Sequence, residues 1–118
     1  MSDCIFCKIV AGAIPSRKVY EDEHLYAFHD IQPAAPVHIL IIPKAHVASL
    51  ADCNQSHADD LGRLLLSAPK IAKELGLDDG FRTIINTGKG GGQEVFHIHA
   101  HVLGGAKLRP LVDSVASA

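Results

Sequence analysis

A chain of 118 residues suffices for one compact domain, and a formal net charge of -2, from 11 basic and 13 acidic side chains, excludes the broad basic surface that neutralises a polynucleotide. The longest apolar stretch, Val37 to Ile42, is interrupted by His38 and stopped by Pro43, far short of the ~20 residues that cross a bilayer, so neither a nucleic-acid polymer nor a membrane is an expected partner. Three cysteines, an odd count, and an opening Met1-Ser2-Asp3-Cys4 without a charged and then apolar leader predict a cytoplasmic protein with no disulfide framework.

Along the chain, Ile5, Phe6, Ile9 and Val10 have helical spacing between Asp3 as N-cap and Gly12 as C-cap, which predicts a short helix. Arg17 to Glu21 and Leu25 to Asp30 read as strands joined tightly through Asp22-Glu23-His24. Pro33 and Pro36 break the pattern, and Val37 to Ile42 follows as a β-branched buried strand. From Asn54 or Ser56, the residues Leu61, Leu64, Leu65, Ala68, Ile71, Ala72 and Leu75 recur at intervals of three and four up to Gly76 and predict a long helix, bent just before Pro69. Phe81 to Thr87 and Val95 to Leu103 are the last predicted strands, separated by the glycine-rich Gly88-Lys-Gly-Gly-Gly92. The strands come in groups instead of alternating one by one with helices, which favours an α+β fold with a five-stranded antiparallel sheet over a doubly wound parallel one.

Histidine is the unusual residue, with 8 in the chain and three of them at 97, 99 and 101. On a strand, alternate side chains share a face, so these imidazoles would project together while Ile98, Ala100 and Val102 anchor the other side in the core. A neutral imidazole is a nucleophile at neutral pH without an activating base. An exposed polar face, or a metal site using two of the three rings, fits the same spacing. The glycine-rich segment contains no Walker A pattern, but its backbone can turn successive N–H groups toward an anion. A flexible connection is the plainer reading of that segment. It opens directly into the histidine strand, which favours the phosphate cradle.

His97-Ile-His-Ala-His-Val-Leu103, preceded by Gly91-Gly-Gln-Glu-Val-Phe96, resembles the signature of the histidine-triad family, and within it the nucleotide-binding, nucleoside-phosphoramidase branch. The likeness continues through Ile5-Phe-Cys-Lys-Ile9, Ala13-Ile-Pro15, Tyr20-Glu-Asp22, Ala27-Phe-His-Asp-Ile31, Ala35 to Lys44 and Asn86. It implies a single histidine-triad domain over 1–118, with a variable tail from 106 onward, acting as a homodimer on a purine nucleotide. By the same resemblance His99 is the nucleophile that forms a nucleotidyl-histidine intermediate, later hydrolysed, with His101 and His38 flanking the phosphate and moving protons. Asn86, Gly92, Gln93 and the backbone N–H groups of Glu94 and Val95 would complete the phosphate shell. Asp30 would accept ribose hydroxyls, although a turn cap before Pro33 is its simpler role, and Phe6, Ile9, Ile14, Phe28 and Leu40 would enclose the purine. Glu94 stands where the family has a serine, which leaves the leaving-group preference open.

Cys4-x-x-Cys7 is half of a tetrahedral zinc site, or a pair of small buried thiols on one helix face. Some histidine-triad relatives, the galactose-1-phosphate uridylyltransferase branch among them, pair such a motif with two histidines, here His46 and His97. A zinc ion so held would be structural, with no cofactor needed for catalysis, and His97 would then orient His99 instead of touching substrate. The resulting expectation is a hydrolase of purine nucleoside 5'-phosphoramidates. A dinucleoside polyphosphate hydrolase or nucleotidyl transferase using the same His99 is the alternative among enzymes, and a nucleotide-sensing binding module the alternative of another class.

Overall fold

The computed structural model describes residues 3–110. In chain order it places α1 (Ile5–Val10), β1 (Lys18–Glu21), β2 (Leu25–His29), β3 (Val37–Pro43), α2 (Ala58–Glu74), β4 (Arg82–Ile84) and β5 (Ala100–Gly104). The strands form one five-stranded sheet in the order β1-β2-β3-β5-β4, with every neighbouring pair antiparallel. The α+β architecture, with one short and one long helix, is therefore the expected one. The family tail expected from 106 onward lies partly outside the described residues, at 111–118.

Local chemistry explains the joints. Asp22 Oδ1 accepts from the backbone N–H groups of His24 and Leu25, each at 2.8 Å, and this side-chain turn closes the β1-β2 hairpin. The first helix is capped by Cys4, whose sulfur accepts from Cys7 N–H, and not by Asp3, which lies one residue too early. A short 3-10 turn, Gln55–His57, leads into α2. The helix is continuous from Ala58 to Glu74 with Pro69 inside it. Proline there deprives the Leu65 carbonyl of its helical donor, at a residue that is 49% exposed.

Register divides the sheet into two covered faces. Residues directly opposite on neighbouring strands point the same way, and the pairs Ala27 with Ile41, Ile41 with Ala100, and Ile39 with Val102 define one face. These side chains pack with Leu64, Ala68, Ile71 and Ala72 of α2 into the main core. The opposite face carries Phe28 beside Leu40 and Leu40 beside His101, with His38 two residues from Leu40. There Phe6 and Ile9 of α1 close a smaller cluster with Tyr26, Phe28, Leu40 and Ile42. A helix of 6 residues covers only part of a five-stranded face, and the uncovered remainder is the site.

Both late strands are shorter than the sequence predicted. Of Phe81 to Thr87 only Arg82–Ile84 pairs, and of Val95 to Leu103 regular pairing begins at Ala100. Ahead of the ladder Ile98 is still buried, and its N–H donates to the Val47 carbonyl at 2.8 Å.

Candidate active site

A cavity of about 620 Å³ opens on the face that α1 leaves uncovered. Its apolar wall includes Phe6, Ile9, Ile14, Phe28 and Leu40, with Phe6 and Phe28 in edge-to-face contact at 5.5 Å. Its polar wall includes Asp30, Asn86, Gly92, Glu94, His99 and His101. Val95 lies on the wall as well. The same surface also takes in Ile5, Pro15, Ile31 and Gln32, which the sequence reading did not select. Pro15 and Ile31 adjoin selected residues at irregular turns, and no periodicity marks such positions.

The histidine row is split. His99 and His101 line the cavity with ring centroids 5.0 Å apart, whereas His97 has 0% exposure and lies off the wall. Period-two alternation alone puts all three toward one cleft, whereas the resemblance assigns His97 to a metal cluster. Residues 95–99 are not yet in the ladder, and the His97 side chain is drawn to α1, where Phe6 meets both His97 and His99 edge-on.

Hydrogen bonding fixes the tautomers. His99 Nδ1–H donates to the His97 carbonyl at 2.8 Å, so the lone pair of His99 sits on Nε2. Ala34 N–H donates to His38 Nδ1 at 2.9 Å, which places the His38 proton on Nε2. That proton is donated to His101 Nδ1 at 2.9 Å, so neutral His101 carries its own proton on Nε2. Burial holds His99 below the ordinary imidazole range. Burial, with the neighbouring His99 and His38 rings, pushes His101 down to about 4. At neutral pH the cavity therefore offers one unshared imidazole lone pair and one imidazole N–H.

Asp30 combines two roles. Its Oδ1 accepts from Gln32 N–H at 2.8 Å, the turn cap that its position before Pro33 suggested. Its Oδ2 lies 3.5 Å from His38 Nε2, and the residue remains on the cavity wall.

Gln93 differs from its expected placement in the phosphate shell. It is buried off the wall and its amide is spent on the loop: Oε1 accepts from Gly88 N–H at 2.9 Å, and Nε2 donates to the carbonyls of Ala48 at 2.7 Å and Val95 at 3.0 Å. It braces the glycine-rich turn. Gly88 and Gly92 adopt φ of +74° and +89°, the left-handed region that glycine enters without strain. The turn uses the N–H groups of Gly91, Gly92 and Gln93 internally. No bond among the described residues engages those of Glu94 and Val95, which stand at the cavity.

Behind the wall, Cys4, Cys7, His46 and His97 converge, with one ligand atom from each and all four within 4.8 Å of one another. His97 Nδ1 lies 3.4 Å from Cys4 Sγ, 3.6 Å from Cys7 Sγ and 3.1 Å from His46 Nδ1. Because His97 Nε2–H donates to the Pro43 carbonyl at 2.7 Å, its Nδ1 turns a lone pair into this cluster. Two thiols and two imidazoles at such spacing suit tetrahedral zinc, and the donor set fits the ion.

The geometry agrees with comparisons to known proteins. A family profile described as "HIT domain" matches residues 11–108. The chain is 58% identical over 104 residues to Protein HitA of Neisseria gonorrhoeae, covering 88% of this chain and 97% of that protein. It is 48% identical over 111 residues to the purine nucleoside phosphoramidase of Escherichia coli K12, covering 93% of each. It is 50% identical over 108 residues to the 14 kDa zinc-binding protein of Brassica juncea, covering 90% of this chain and 96% of that one. The solved structure of a histidine triad protein from Clostridium difficile superposes with a TM-score of 0.91 at 50% identity, covering 95% of this chain and 98% of the other.

Proposed function

The chain belongs to the HIT domain family, and from that membership we propose that it hydrolyses purine nucleoside 5'-phosphoramidates through a covalent intermediate on His99. The observation that carries this reading is the unshared Nε2 lone pair of His99 on the wall of a cavity that joins an apolar slot to a polar end. A planar purine fits between Phe6, Ile9, Ile14, Phe28 and Leu40, and the Asp30 carboxylate on the same wall suits a ribose diol. The α-phosphate then meets His99, His101, Asn86, Gly92 and the N–H groups of Glu94 and Val95.

In the first step His99 Nε2 forms a bond to phosphorus and the P–N bond breaks. Its electron pair leaves with the nitrogen, which takes a proton from solvent. His101 Nε2–H, aligned by His38, donates to the phosphoryl group and stabilises the charge that gathers there. In the second step water forms the new P–O bond, the P–Nε2 bond breaks, and a proton returns to solvent. His99 is thereby restored with its Nδ1–H still on the His97 carbonyl. No lysine or arginine lines this cavity, which supports an amine leaving group over a second nucleotide carrying several phosphates.

The Cys4, Cys7, His46 and His97 cluster would hold a structural zinc, tying α1 to the segment that carries the nucleophile. The reading also takes the chain as one histidine-triad domain that works in the cytoplasm and pairs with a second copy. β4 ends the sheet as an open edge, and Leu66 is 76% exposed, which supports pairing. No described helix is long and apolar enough to cross a membrane.

The test is turnover of an AMP-amide bearing a fluorogenic amine. Release of AMP and amine is the expected result. Tight AMP binding without any turnover would replace the hydrolase by a nucleotide-binding module.

A further inference from the structure

A second cavity, about 800 Å³ and open to solvent, adjoins the nucleotide slot, and Ile5, Glu94 and Val95 belong to the walls of both. Its remaining lining is Asp3, Phe96 and three members of the metal cluster, Cys4, Cys7 and His46, and neither lysine nor arginine is part of it. Ile5 is 46% exposed and Phe96 43% exposed, so two large apolar side chains stand uncovered beside two carboxylates. Nothing in the nucleotide-binding scheme uses this space.

We infer that this cavity receives the leaving group, and that it selects amines carrying a second positive charge on an apolar stem. The inference rests on the phosphoramidase reading and adds the identity of the amine. Continuity is the first argument. Glu94 and Val95 present their N–H groups to the phosphate, so a substituent on phosphorus that leaves the slot past them enters the second cavity. Charge is the second argument, because an incoming group meets Asp3 and Glu94 with no lysine or arginine to balance them, and a zinc held by two thiolates would add no net charge, so the cavity repels carboxylates and phosphates and attracts ammonium groups. Shape and surface are the third. Ile5 and Phe96 offer apolar contact to a methylene or aryl stem, and the face of an exposed phenyl ring itself favours a cation. When the P–N bond breaks, the released nitrogen takes up a proton and becomes a second ammonium beside Glu94. That product is lost to solvent through the open mouth of the cavity.

The position of Glu94 makes it a specificity residue. Its backbone serves every substrate, while its carboxylate distinguishes among leaving groups.

The experiment compares three AMP phosphoramidates of matched length, made from pentylamine, from 1,5-diaminopentane through one nitrogen, and from 5-aminopentanoate. The ordering of kcat/KM expected at low salt is ammonium, then neutral, then carboxylate, with roughly 2- to 5-fold between neighbours, as solvent-exposed ion pairs deliver. Raising the ionic strength should compress the series. Asp3→Asn and Glu94→Gln should each shrink the ratio of ammonium to neutral substrate, and the double variant should bring it close to one. Both side chains are exposed, so the variants should fold. Equal kcat/KM for the three amides in the unaltered protein, or selectivity that survives in the double variant, would overturn the inference while leaving the phosphoramidase reading intact. Failure to cleave any of the three would overturn that reading, and the inference with it.

Discussion

Lowering the pH from 6.5 to 4 should destabilise the fold through His101 by an amount that can be worked from its surroundings. An imidazole in an unfolded chain titrates near 6.5, and in the folded chain burial and the rings of His99 and His38 move His101 to about 4. Above 6.5 neither state binds the proton at this ring. Between 6.5 and 4 the unfolded chain binds it and the folded chain does not, so stability falls as pH falls. Below about 4 both states bind it and the loss is complete. At about 1.4 kcal/mol per tenfold change in proton concentration, the loss is at most about 3 kcal/mol, and contact of the ring with the open cavity reduces it. Urea unfolding followed by circular dichroism at fixed protein concentration, repeated at half-unit pH steps, measures the curve. Other groups titrate in the same window, so the decisive quantity is the difference between the unaltered protein and His101→Asn. The gap between their unfolding free energies should narrow as pH falls. Parallel curves would show that His101 is not held neutral by the fold, and would refute its assignment as a neutral donor accepting from His38.

The remaining predictions concern the nucleophile, the loop, the metal and the core. His99→Asn should bind AMP within a few-fold of the unaltered protein by calorimetry, yet lose roughly a thousandfold or more in kcat, because an amide cannot form the phosphorus–nitrogen bond. Gln93→Ala should cost about 1 to 3 kcal/mol in urea unfolding, since Gly88 N–H and the Ala48 and Val95 carbonyls lose their partner together, and KM should rise as the glycine turn loosens. Metal analysis of untagged protein should find one zinc per chain, absent after Cys4→Ser with Cys7→Ser, and a chelator should lower the melting temperature of the unaltered protein only. Ile71→Ala should destabilise by about 2 to 5 kcal/mol through the cavity it leaves under the sheet, with kcat unchanged because α2 packs on the face away from the histidines.

Much of this was legible in residue order, for identifiable reasons. Period-two alternation placed Ile39, Ile41, Ala100 and Val102 on one face, and period 3.6 placed Leu64, Ala68 and Ile71 on the helix that covers it. The strands between Lys18 and Pro43 begin and end within a residue of their predicted limits, because Asp22 and the prolines mark the turns. The errors share a cause. Periodicity reports which way a side chain points and says nothing of when backbone pairing starts, so Val95 to His99 were read as strand although the ladder begins at Ala100. By alternation alone His97 is equivalent to His99 and His101, and it is the Cys4-x-x-Cys7 resemblance that assigns it to the cluster where its ring lies. Gln93 was placed on phosphate because it lies in the motif, and only the folded loop reveals that its amide is fully spent on backbone.

The division of the histidine row explains why a short helix suffices to build the site. His97 uses three polar groups at once: Nε2–H on the Pro43 carbonyl, Nδ1 toward the cysteines, and its own carbonyl on His99 Nδ1–H. Pro43 ends β3, Cys4 caps α1 and His99 sits on the cavity wall, so one residue ties a strand end, a helix start and the candidate nucleophile into a single unit. A side chain that only lined the cavity could fix the tautomer of one neighbour. This arrangement fixes the ring of His99 through backbone, which no substitution at position 97 removes directly, while the same side chain holds the helix whose Phe6 and Ile9 shape the nucleoside slot. Slot and nucleophile therefore move together, and the separation between base and reacting phosphorus is set by the fold instead of by a flexible loop.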